Sequence, residues 1–177
     1  MRGGASVVLA VAMLLAAVPV RASVAVRMTV DDLVRNADVI VQGKVGDAKS
    51  FRNEEDGRIY TRHTIEVTEF LKGGAGEKTV EVVTMGGELE DVGQIVPGEA
   101  KFEKGEEVVV CLKKSKLGLV PVGMAQGKFR VEKRAEKQVL VRDLGGILFL
   151  GEEKGKLPAV DEVGMETFRE LVRRLSE

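Results

Sequence analysis

The apolar period of this chain changes from 3.6 residues to two and then back again, and that change restricts the folds open to it. Val30, Leu33, Val34 and Ala37 follow helical spacing, as do Phe168, Leu171, Val172 and Leu175 near the other end. Thr29 is a predicted N-cap, with Asp31 and Asp32 favourable in the first turn. Between these helices the pattern alternates. The spacing predicts strands over 39–45, 58–71, 79–84, 106–112, 119–122, 128–132 and 138–142. Turn chemistry separates them at Asn53-Glu54-Glu55-Asp56-Gly57, Gly73-Gly74-Ala75-Gly76 and Lys114-Ser115-Lys116-Leu117-Gly118. Many short strands with one helix at each end predict a mainly β fold, a small closed OB-like antiparallel β-barrel, in which closure removes exposed edges.

The first 22 residues read as a leader rather than as fold. Arg2 is followed by an apolar run from Ala5 to Val20 and a small-residue cleavage pattern ending at Ala22. The run is shorter than the roughly 18–20 residues a spanning helix requires. Export to the periplasm or outside the cell is therefore expected, with no membrane attachment after cleavage. Cleavage leaves 155 of the 177 residues, enough for one domain over 23–177, with a C-terminal hairpin and helix over about 143–177. Losing Arg2 and Arg21 moves the formal net charge from −1 to −3. That balance provides no basic patch for nucleic acid. One Tyr, six Phe and no Trp provide no stacking platform either.

The chemistry-bearing residues are few. Cys111 is the only cysteine, so no internal disulfide forms; its place in Val108-Val109-Val110-Cys111-Leu112 predicts a buried thiol. His63 is the only histidine, and zinc requires a larger set of ligands. Cys111 and His63 could meet across the barrel as a nucleophile–base pair, although His63, between Arg62 and Thr64, lies in a strand where half the side chains face water; paired carboxylates among the 28 acids stay open but none sits in a distinctive context. The acidic loop 53–56 lacks the alternation of an EF-hand. Gly123-Met124-Ala125-Gln126-Gly127-Lys128-Phe129 is one residue short of a phosphate loop and ends in Phe, not Ser or Thr. No catalytic residue, cofactor or metal is expected.

Ala37-Asp38-Val39-Ile40-Val41-Gln42-Gly43-Lys44-Val45, followed by a long strand ending in Phe70-Leu71-Lys72-Gly73, resembles the netrin-like, OB-type domain of tissue inhibitors of metalloproteinases over about residues 23–133. Ile59-Tyr60-Thr61 and Ala125-Gln126-Gly127-Lys128-Phe129 are also similar to patterns in a group of exported bacterial proteins, a likeness that implies no activity. The first resemblance implies a binding module, with inhibition of a metalloprotease by the mature N-terminus as the alternative. In those inhibitors a disulfide-pinned cysteine presents its amine and carbonyl to zinc. Here the start would be Ser23-Val24-Ala25-Val26, with no disulfide to hold it. The long run from Thr84 to Leu112 is expected to be a crossing connection, with Val92, Ile95, Val96 and Phe102 tucked against the barrel end. Its glycines also make it a candidate binding loop. The candidate partner-binding residues are thus Ser23, Val24, Gly86, Gly87, Gly93 and Gln94. The expected role is a non-catalytic module for an exported protein, peptide or protease; a hydrolase without a recognisable motif is the remaining alternative.

Overall fold

The computed structural model describes residues 23–151 and 160–176, and the leader expected over 1–22 lies outside them. The fold is mainly β, with one large sheet and a C-terminal helix. Strand β1 (Ser23–Ala25) precedes helix α1 (Val30–Asn36). Strands β2 (Val39–Arg52), β3 (Ile59–Lys72) and β4 (Thr79–Met85) form a meander. A small hairpin, β5 (Gly87–Leu89) and β6 (Val92–Gln94), follows. Then come β7 (Glu107–Ser115), β8 (Gly118–Pro121), a 3-10 turn (Met124–Gly127), β9 (Lys128–Arg134), β10 (Lys137–Asp143), β11 (Ile147–Phe149), β12 (Val160–Gly164) and α2 (Met165–Ser176).

The large sheet has the order β12-β10-β9-β7-β2-β3-β4-β8. One edge of β7 bonds β2, and its other edge is divided. Residues 108–110 pair with β9, whereas 112–115 pair with β8. β8 also meets β4 through one parallel pair, Val82 with Leu119. The divided strand therefore joins two groups of strands and is covered on both faces. This explains why Val108 to Leu112 is apolar at every position rather than at alternate ones. Val109 and Cys111 face the helices, packing with Leu33, Ile40, Phe129 and Phe168. Val108, Val110 and Leu112 face the other way, toward Val41, Val45, Ile65 and Val82.

Local chemistry sets the ends of the elements. Thr29 Oγ1 accepts from the Asp32 amide at 3.1 Å, and the Asp32 carboxylate accepts from the Thr29 amide at 2.9 Å, a reciprocal box that starts α1. Gly43 lets β2 and β3 approach closely, since a Cβ there would lie 2.3 Å from the Glu66 carbonyl oxygen. α2 buries Met165, Phe168 and Val172, with the Phe168 ring 5.5 Å from that of Phe129. Truncating a fully buried Phe of this kind costs about 3–5 kcal/mol.

The strand pattern holds, with β2 extending to Arg52 rather than ending at Val45. Four strands had no clear signal: β1, the two strands of the hairpin β5–β6, and β12. The first three have three residues each and β12 has five, too short for a period to stand out.

Candidate functional site

Residues 86–106 form a strap across one end of the sheet. Its first half is a hairpin docked on β3. Gly86 donates its amide to the Ile59 carbonyl at 2.8 Å, and the Gln94 side-chain oxygen accepts from the Ile59 amide at 3.1 Å. Thr61 Oγ1 donates to the Gly86 carbonyl at 2.7 Å and lies 3.1 Å from Ser50 Oγ. Gly87, at φ +135°, leaves no space for a side chain, as a Cβ would sit 2.2 Å from Thr61 Oγ1. The second half is tied at Glu99, whose carboxylate oxygens accept from the Met85 amide (3.2 Å) and the Ala100 amide (3.0 Å). Gly98 accepts from the Ala125 amide at 3.1 Å, and Gly105 donates to the Val45 carbonyl at 2.7 Å.

The strap is flanked by a cleft on each side. The larger, of about 500 Å³, is lined by Thr61, His63, Thr84, Ile95, Glu99 and Phe102, among others. The smaller, of about 350 Å³, includes Glu99, Glu106, Lys128, Arg130 and Asp143 in its wall.

His63 faces the interior rather than water. It is 7% exposed, its Nε2 lies 3.0 Å from Thr84 Oγ1, and its ring packs 4.8 Å from that of Phe102. Strap residue Phe102 covers the position, which lies on the same face of β3 as the buried Ile65. Burial, aided by the charge of Lys128, lowers the His63 pKa to about 4, so the ring is neutral at pH 7. Its Nδ1 is buried and makes no hydrogen bond among the described residues. Lys128 is held by Glu106, with Nζ 2.7 Å from both carboxylate oxygens and 5.5 Å from the Phe102 ring centre.

Cys111 is fully buried among the helix-facing residues, where burial pushes its thiol up to about 12. His63 shares a strand face with Ile65, in the opposite apolar layer. The two are not brought together, and Cys111 lacks the exposure and low pKa of a reactive thiol.

The candidate partner-binding residues fall into two neighbourhoods. Ser23 and Val24 lie on β1, which pairs in parallel with Ile147 and Leu148 of β11. Contrary to the expectation of an unheld start, this segment is fastened: Leu150 donates to the Ala25 carbonyl at 2.9 Å, and Gln126 bonds the backbone of Val26 and Met28. Gly86, Gly87, Gly93 and Gln94 lie on the strap beside β3. Gly86, Gly87 and Gln94 are used in holding the hairpin. Gly93 is open, since a Cβ there would meet nothing nearer than 3.9 Å.

Two of the four apolar strap residues are not tucked in. Ile95 is 91% exposed and Val92 51% exposed, whereas Phe102 packs against the sheet core and Val96 is half-buried. Docking the hairpin through Gly86 and Gln94 leaves the Val92 side exposed, and no residue pattern showed that. Arg142 was also unforeseen. It is 1% exposed, pairs with Asp161, and donates to the Met28 carbonyl at 3.0 Å. Arg27 lies 3.5 Å from the same aspartate, so one carboxylate joins the N-terminal segment to β10 and β12.

No protein-family profile, curated protein or solved structure matches this chain at a significant level.

Proposed function

We propose that this chain is an exported, non-catalytic binding module, an OB-type barrel that recognises a protein or peptide through the strap at residues 86–106. The observation that carries this reading is the outward placement of Ile95 and Val92 on a hairpin whose backbone is fastened by Gly86, Gln94 and Glu99. An exposed aliphatic pair on a fixed frame binds with little ordering entropy. The barrel reading is supported by the ring of pairings β2-β3-β4-β8-β7, which returns to β2. Export rests on the leader pattern in residues 1–22. The test is retention of exported proteins by the immobilised chain and by its Ile95→Glu variant. A partner held by the first and released by the second, with equal melting temperatures, supports the reading; equal retention by both removes the strap as the binding surface.

The second reading is metalloprotease inhibition through the mature N-terminus. It is favoured by the fastening of β1 to β11 and Gln126, which limits the ordering cost without a disulfide. Mass spectrometry of the secreted chain tests it first: a start away from Ser23 removes the mechanism. Adding one residue before Ser23 should then abolish inhibition of a zinc protease.

A further inference from the structure

We infer that the cleft between the strap and β3–β4 receives a cationic side chain, Lys or Arg, of an extended peptide lying along β6 and Ile95; this rests on the binding-module reading above. Glu99 borders that cleft with a half-buried carboxyl group. Each oxygen accepts one backbone amide, which leaves further acceptor positions on both. No Lys or Arg among the described residues pairs with it. Lys101, which also borders the cleft, makes no ion pair there either. A carboxylate withdrawn from water without a cation is costly, and a ligand that supplies one recovers part of that cost.

The surroundings favour the same charge. His63 is neutral at pH 7 and does not repel a cation, and its Nδ1 makes no bond among the described residues. The Phe102 ring, which already has Lys128 5.5 Å from its centre, and the Thr84 hydroxyl, bonded to His63, line the same cleft. In the cleft wall Glu88 and Glu99 stand against Lys101, while the nearby Lys128 is paired with Glu106. An acidic peptide would meet like charge on entering. Ile95, in the cleft wall, offers apolar contact for the aliphatic stem of Lys or Arg. Among the described residues β6 pairs only with β5, so its outer edge is available to an added strand.

The test is selection of a randomised decapeptide library on the full chain, with the binders then measured on Glu99→Gln and Ile95→Glu variants. Recovered peptides should carry Lys or Arg beside apolar residues. Replacing that basic residue by norleucine should weaken binding at least tenfold, and Glu99→Gln should weaken the original peptide similarly. The two changes together should cost little more than either alone, the signature of direct pairing. The norleucine comparison uses the unaltered protein, so it stands even if Glu99→Gln disturbs the strap. Peptides without a basic residue that bind equally to Glu99→Gln but are lost from Ile95→Glu overturn the cation site and leave the binding module standing. Selection of no peptide that depends on Ile95 overturns both.

Discussion

The side-chain oxygen of Gln126 accepts the amide of Met28 at 2.8 Å, while the amide nitrogen of the same side chain donates to the Val26 carbonyl at 3.2 Å. One buried side chain thus closes a contact between the 3-10 turn and a segment about 100 residues earlier, doing for β1 what a disulfide would otherwise do. The Ala125-Gln126-Gly127-Lys128-Phe129 run is framework throughout. Gly127 has no space for a Cβ, which would lie 2.5 Å from the Val122 carbonyl oxygen, Lys128 pairs with Glu106, and Phe129 enters the core.

Replacing Gln126 by Leu leaves the Met28 amide and the Val26 carbonyl without partners. The expected loss is about 1–2 kcal/mol, since Met28 is half-buried and Val26 is exposed, so water replaces part of what is lost. Hydrogen exchange should show residues 23–28 losing protection before the large sheet does. Unchanged protection of Val26 and Met28 would mean that the β1–β11 pairing alone holds the segment.

The His63 pKa is lowered from 6.5 to about 4 by burial and the Lys128 charge. Between these values the unfolded chain binds a proton that the folded chain refuses. Stability is therefore full above about pH 6.5 and falls as the pH is lowered toward 4, by up to roughly 3 kcal/mol from this group. Denaturant titrations from pH 7 to 4 should show this slope, and His63→Gln should reduce it by close to one proton. The same slope in the variant would assign the effect to carboxylates instead.

Lys128 and Glu106 are mostly buried, with side-chain exposures of 15% and 11%. Lys128→Met strands a carboxylate, at an expected cost of about 3 kcal/mol. The double change Lys128→Met with Glu106→Leu should recover most of that loss. A double variant no more stable than the single one would show that the lysine acts through its packing on Phe102 rather than through its charge.

Two strap glycines should behave oppositely when changed to Ala. Gly87 has φ +135° and no space beside Thr61 and Ser50, so Gly87→Ala should cost about 2 kcal/mol or more and displace the hairpin. Gly93 has open space and no positive φ, so Gly93→Ala should change stability by less than about 0.5 kcal/mol. Thermal melts of the two variants settle the contrast, and equal effects would contradict the docked hairpin.

The helices and main strands were legible because each repeats its period over two turns or several alternations. Thr29 marked the start of α1 and the apolar run around Cys111 marked a buried thiol, whereas the reciprocal Asp32 bond and the covering of that strand on both faces came from the fold. The candidate site was legible only in part. Glycines marked the strap, but the exposure of Ile95 and the burial of His63 depend on where the strap lies. That position is set by hydrogen bonds between residues far apart in sequence, such as Gln94 with Ile59 and Glu99 with Met85.

Local periodicity and turn chemistry act between neighbours, so the sequence by itself determined a mainly β chain flanked by helices, a lone buried thiol and a long glycine-marked connection. Which way the connection folds, which of its aliphatic side chains meet water, and the half-burial of Glu99 in a cleft wall were decided only by tertiary packing. They arise from contacts across tens of residues, where one side of a strap is used in docking and the other is thereby presented to solvent.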